Sequence, residues 1–236
     1  MPLIEPSSYS APLLLSNPHL QTIWHSEFRI PPALVYRREK IDTPDDDFPN
    51  IDWVASGSSR AALVLHGLES SASRPYIKGM VAALHARGFD CAALNFRGCG
   101  GELNRTRSFY NAGKTDDVHT AVMHLIGKGY RKIVLCGFSL GGNVVLKYAG
   151  EQAEAINAKI TGCAAVSAPV DLSSASVALG RRANIFYNRR FVRKLYRKVR
   201  DKMIAQPGSI DTAGFARVRS LRDYDELYIP LQWAAT

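Results

Sequence analysis

No hydrophobic run in this sequence approaches the length of a membrane span. The N-terminus, Met1-Pro2-Leu3-Ile4-Glu5-Pro6, has no positive region, and Leu13-Leu14-Leu15 is too short for the apolar centre of a signal peptide. Internal repeats are absent. Cysteine is scarce: Cys91, Cys99, Cys136 and Cys163 lie far apart, with no C-x-x-C pair and no histidine cluster at metal-ligand spacing. A disulfide scaffold and a metal site are therefore not expected. Cysteines inside apolar strand-like runs fit buried free thiols in a reducing, cytoplasmic compartment. The glycine-rich loop Arg97-Gly98-Cys99-Gly100-Gly101-Glu102 lacks the spacing of a dinucleotide or P-loop site, so a phosphate reading of it is weak and no cofactor is expected. No histidine follows His124: all six (His19, His25, His66, His85, His119, His124) lie in the first 124 residues.

What is present fits a single core. A chain of 236 residues can build one α/β domain, or a domain with a small insertion. Residues 1–32 read as a proline- and serine-rich arm. Within it Asn17-Pro18-His19-Leu20-Gln21-Thr22-Ile23-Trp24 is a polar-aromatic cluster whose His19 reads as a structural, hydrogen-bonded surface residue. Ala33 to Ile41 and Ile51 to Ala55 read as strands. Ala61-Ala62-Leu63-Val64-Leu65, Cys91 to Phe96, Lys132 to Cys136 and Ile160 to Val166 are apolar runs bounded by turn residues, the pattern of strands buried on both faces. Between them, helical patterns run from about Pro75 to Arg87 and from a Thr115-Asp116-Asp117 N-cap to about Gly127. Such alternation predicts a mostly parallel, doubly wound α/β sheet, whose ligands bind at the carboxyl ends of the strands.

One such end is Gly137-Phe138-Ser139-Leu140-Gly141-Gly142, between the strand ending at Cys136 and a helical pattern opening at Asn143. A serine flanked by glycines at a strand-to-helix turn fits a nucleophile elbow, where side chains at Gly137 or Gly141 would collide with backbone. The hydroxyl would sit at a helix N-terminus, where free N–H groups favour negative charge. The alternative is a glycine-rich turn with an incidental serine. A second strand end, His66-Gly67-Leu68-Glu69, converges on the same edge of the sheet and favours the catalytic reading.

Asn17-Pro18-His19-Leu20-Gln21-Thr22, His66-Gly67-Leu68-Glu69, Asn95-Phe96-Arg97-Gly98-Cys99-Gly100-Gly101 and Gly137-Phe138-Ser139-Leu140-Gly141-Gly142 together resemble the YheT/EMB8-type branch of the α/β-hydrolases, which includes the ABHD1/ABHD3-like lipases and esterases. The resemblance implies Ser139 as nucleophile and the backbone N–H groups of Leu140 and Leu68 as the oxyanion hole. It implies supporting roles for His66, Gly67, Gly137, Gly141 and Gly142, with His66 bracing its loop and not serving as base. The substrate it implies is a carboxylic ester, lipid esters included. The family's triad runs serine, acid, histidine in chain order, yet no histidine follows Ser139. Asp171 follows a strand, but it reads as a helix N-cap. The chain therefore reads as the front two-thirds of such a hydrolase, with the last strands absent, through truncation, a frameshift near Tyr228 or degeneration of the gene.

Arg181 to Lys202 carries ten Lys/Arg against Asp201 alone, a net +9 that equals the charge of the whole chain. Val192, Leu195, Tyr196, Val199 and Met203 recur at helical spacing, with Arg193, Lys194, Arg197, Lys198 and Arg200 expected on the opposite face. This reads as a basic amphipathic helix: a solvated cap over the site, or a contact for an anionic membrane surface through Arg193, Lys194, Arg197 and Lys198. Nucleic acid is not expected, since no recognised binding module accompanies the charge. The expected organisation is an arm over 1–32, a hydrolase core over 33–172 and a basic helical cap segment over 173–236. A hydrolase is one reading of function; a catalytically incomplete hydrolase fold that docks on membranes is the other.

Overall fold

The apolar runs become the centre of one sheet. The computed structural model describes residues 8–233 apart from 209, 211–213 and 215–216. Its strands are β1 (Arg37–Lys40), β2 (Asn50–Val54), β3 (Arg60–Leu65), β4 (Asp90–Asn95), β5 (Lys132–Phe138) and β6 (Ile160–Val166), in the order β1-β2-β4-β3-β5-β6. β4, β3, β5 and β6 run parallel, while β1 and β2 add an antiparallel margin. Ala61 to Leu65 are completely buried, as a strand covered on both faces must be.

Alternation along β3 and β4 sorts the core into two layers. Leu63, Leu65, Ala92 and Leu94 face Val118, Val122 and Leu125 of α3 (Asp116–Gly127) and Val144, Val145 and Tyr148 of α4 (Leu140–Gln152). Ala62, Val64, Cys91 and Ala93 face Ile77 and Val81 of α2 (Pro75–His85). Each fully buried leucine contributes roughly 1.5–3 kcal/mol. Small residues dominate the second layer, which lets α2 approach the sheet closely.

Beyond β6, α5 (Leu172–Gly180), α6 (Ile185–Ala205) and α7 (Leu221–Trp233) form a helical cap. Leu195, Val199, Leu221, Tyr224 and Tyr228 pack there with Phe109 as a separate apolar cluster. β6 is the opposite edge of the sheet from β1, and all seven of its residues are exposed or half-exposed.

Several expectations need correction. The first strand is only Arg37–Lys40, since its pairing with β2 runs from Arg37 opposite Trp53 to Lys40 opposite Asn50. The arm contains a helix, α1 (Pro18–Glu27). Asn17 Oδ1 accepts from the amides of His19 (2.8 Å) and Leu20 (3.3 Å), and proline at the first helical position needs no partner. Thr115 precedes α3 but does not cap it; its hydroxyl donates to Glu151 instead, at 2.6 Å. Tyr196 lies on the outer face of α6, whereas Lys194, Lys198 and Lys202 turn inward.

Candidate active site

β5 delivers Ser139 to the carboxyl edge of the sheet. Its backbone is at φ 51°, ψ −121°, a conformation that non-glycine residues rarely adopt, and Asn143 N donates to its carbonyl to start α4. The turn is that tight because the glycines permit it. A Cβ on Gly137 would overlap the Gly141 carbonyl, and one on Gly141 would lie 2.5 Å from the His66 carbonyl oxygen. Gly142 packs against Gly137 and Ala168, and Ser139 N is held by Val166 O at 2.9 Å. The elbow is thus pressed onto the end of β3.

The loop after β3 closes the other side. A Cβ on Gly67 would meet Ser139 Cβ at 3.2 Å, so loop and elbow touch. His66 is fully buried. Its Nδ1 donates to Gly67 O (2.7 Å) and its Nε2 accepts from Phe96 N (3.2 Å), so both ring nitrogens are occupied by backbone. Burial lowers its pKa to about 4, with the charges of Lys198 and Lys194 adding to the effect. Gly67 N donates to Tyr76 OH at 3.0 Å and Glu69 N donates to Tyr110 OH at 2.7 Å. The Leu68 N–H between them has no partner among the described residues.

Leu68, Ser139 and Leu140 line one cavity of about 460 Å³ between core and cap. Its walls are mostly apolar: Phe109, Pro169, Leu172, Leu179, Phe191, Leu195 and Tyr224. No histidine lines it among the described residues. Asp225, exposed at its rim, has its carboxyl raised to about 6 by desolvation. Asp171 lies apart from this lining and caps α5, accepting from Ser174 N at 3.0 Å.

The basic helix reaches into the site. Lys198 Nζ donates to Glu69 Oε1 (2.6 Å) and to Cys99 Sγ (3.0 Å) and lies over the Tyr110 ring, while Lys194 Nζ donates to Glu69 O (2.8 Å). Burial opposes the charge on Lys198, but Cys99 and Glu69 together raise its pKa; burial also raises the Cys99 thiol. Of the four residues expected to meet a membrane, Lys198 is buried and Lys194 is half-buried against Glu69, so neither is available; Arg193 and Arg197 remain exposed. Long lysine stems let a position beside the apolar stripe place its charge in the core.

Arg97, from the Asn95-Phe96-Arg97 stretch, is buried beneath the site. It donates to Asp117 (2.6 Å), Asp45 (2.6 Å) and Asp47 (3.1 Å). The sequence reading missed Tyr76, Tyr110 and this carboxylate cluster. Tyr76 and Tyr110 are single tyrosines outside the quoted motifs, and no local pattern marks them.

A family model described as the alpha/beta hydrolase fold matches residues 62–206, which span both strand ends and all of α6. The chain belongs to the alpha/beta hydrolase fold family, in agreement with its sheet order and helical layers. Within that family it is similar to YheT of Escherichia coli, an esterase by name, at 31% identity over 90% of this chain and 64% of that protein. It is similar also to the embryogenesis-associated protein EMB8 of Picea glauca (28%; 89% and 50%) and to a monoacylglycerol lipase of Saccharomyces cerevisiae (28%; 81% and 43%). The chain thus spans 43% to 64% of the length of these relatives. The Pyrococcus furiosus esterase Pf2001 shares the fold, with a TM-score of 0.53 and 22% identity over 63% of this chain and 60% of that one.

Proposed function

We propose that this chain is the elbow-bearing part of a serine hydrolase that cleaves carboxylic esters, lipid esters among them. The observation that carries the reading is Ser139 at φ 51° on the floor of an apolar cavity, at the N-terminus of α4. Strain of this kind persists only where the surroundings impose it, and here the contact of Gly141 with His66 does so. In this reading Ser139 Oγ attacks the ester carbonyl carbon. The negative charge that develops on the carbonyl oxygen is met by the N–H groups of Leu140 and Leu68, with the α4 dipole adding to them. Tyr76 and Tyr110 hold the amides on either side of Leu68. The apolar walls suit an acyl chain, and the esterase and lipase names of the relatives support the class of substrate.

The proton from Ser139 needs an acceptor. Both nitrogens of His66 are occupied and its pKa is depressed, so it is not that base. We assign the acid and the histidine of the triad to the length of the relatives that this chain does not span. The isolated chain is then expected to hydrolyse p-nitrophenyl acetate only feebly and to label slowly with a fluorophosphonate at Ser139. Added imidazole should supply the missing base and accelerate turnover above the Ser139→Ala background. Imidazole acceleration that is equal in chain and variant, or a label on a residue other than Ser139, would sink the assignment. Rapid stoichiometric labelling without imidazole would show that the chain carries its own base. A second reading, binding of an anionic membrane surface, is favoured by the exposed arginines of α6 and is independent of catalysis.

A further inference from the structure

The arm and the cap helix, far apart in sequence, meet on the surface. His19 of α1 stacks on Tyr187 of α6 with ring centroids 5.7 Å apart, and its Nδ1 lies 3.1 Å from the Tyr187 hydroxyl. Glu27, at the other end of α1, accepts from Arg190 at 2.8 Å. These contacts fix the two helices side by side and leave an outer face on each.

The outer face of α1 is apolar. Leu20, Ile23, Trp24 and Phe28 follow helical spacing along one stripe, and all are exposed, Trp24 by 52% and Phe28 by 63%. Trp24 and Phe28 pack on each other at 4.9 Å. Leu13 and Leu14 precede the helix and are more exposed still. A soluble surface does not ordinarily gather so many large apolar side chains in one place.

The outer face of α6 is cationic. Arg189, Arg193 and Arg197 stand one turn apart in a single exposed row, and none has an ion-pair partner among the described residues. Phe186, at the head of the row, is 79% exposed. The lysines of the same helix are spent inward on Glu69 and Asn104, so the outward charge is carried by arginine. Arginine keeps its charge throughout the physiological range and bonds phosphate oxygens in pairs.

We propose that the α1 stripe and the arginine row form one docking face for an anionic phospholipid surface. Aromatic and aliphatic side chains enter the headgroup boundary while the neighbouring arginines engage the lipid phosphates, the division of labour of an interfacial helix. Charge complementarity selects this occupant. A second copy of the same face would bring two arginine rows together, and a nucleic acid would leave Leu13, Leu14, Leu20 and Ile23 in water. The proposal rests on the membrane-surface reading above and names its face; that face lies outside the cavity, so it stands whether or not Ser139 is a nucleophile.

The test is co-sedimentation of the 236-residue chain with vesicles of phosphatidylserine and phosphatidylcholine, and with vesicles of phosphatidylcholine alone. Binding is expected only to the anionic vesicles and should weaken steeply with salt. Replacing Arg189, Arg193 and Arg197 by glutamine should weaken it by about two orders of magnitude, at about 1 kcal/mol for each charge near the surface. Trp24→Ser with Phe28→Ser should also weaken binding while leaving its salt dependence in place. All five positions are exposed, and an unchanged thermal melt will show that the variants fold. Ser139→Ala should bind like the parent chain. Equal binding to both vesicle types, no binding to either, or affinity untouched by the arginine replacements would overturn the proposal. Concentration-dependent dimerisation abolished by the same variants would do so too, by showing that a second copy occupies the face.

Discussion

Lys198 Nζ, on the cap helix, lies 2.6 Å from Glu69 Oε1, on the loop that meets the Ser139 elbow. Both side chains are 7% exposed. Glu69 is itself in the left-handed region at φ 50°, and its carbonyl is held by Lys194. Two lysines one helical turn apart therefore fasten the cap to the loop that carries the Leu68 amide.

Removing one member of that pair strands the other in a dry site. Lys198→Met should cost about 3–5 kcal/mol of stability in urea unfolding. The double variant with Glu69→Gln should recover much of the loss, because no unpaired carboxylate remains. Strict additivity of the two single losses would show that the residues are not coupled.

At the elbow, Gly141→Ala should lower stability by several kcal/mol or prevent folding, since its Cβ would press on the His66 carbonyl. Gly150→Ala, in the same helix but facing open space, should instead stabilise by about 0.5–1 kcal/mol. Thermal melts of the two proteins compare them directly. Similar behaviour would mean that β3 and α4 are not in contact.

Arg97→Lys is predicted to be severe despite keeping the charge. The guanidinium serves Asp45, Asp47 and Asp117 at once, which a single ammonium cannot match. A loss of about 3 kcal/mol or more is expected, read from the denaturation midpoint at constant slope.

The depressed pKa of His66 sets a pH dependence. The folded chain refuses a proton below the ordinary value of 6.5 until about pH 4, whereas the unfolded chain takes it up. Stability therefore rises with pH across that window, and acidification through it costs about 3 kcal/mol at most. His66→Gln, which keeps a donor and an acceptor, should flatten the slope between pH 4.5 and 7 relative to the parent. An unaltered slope would assign the acid lability to other groups.

Apolar runs bounded by glycine and polar turns sufficed to place the central strands, because burial on both faces leaves little choice of side chain. The elbow was legible for a related reason: Gly137 and Gly141 sit where any Cβ would collide. Helix α1 was hidden by the proline and serine around it, although Asn17-Pro18 is a good cap. The inward turn of Lys194 and Lys198 could not be read either. Their partner Glu69 is more than 120 residues away, and local periodicity carries no information about distant partners. Tyr110 was missed for the same reason, since its partner Glu69 lies 41 residues away.

The bareness of β6 has a practical use. Cys163 sits in the middle of that edge strand, reduced and open to solvent, whereas Cys91 and Cys136 are sealed within the sheet and Cys99 is held under Lys198. Nature has left a thiol on the rim, so a maleimide added to the native protein reads that rim alone. Anything laid alongside β6, be it more of the same polypeptide, another molecule or the start of an aggregate, would be seen as silence from one sulfur.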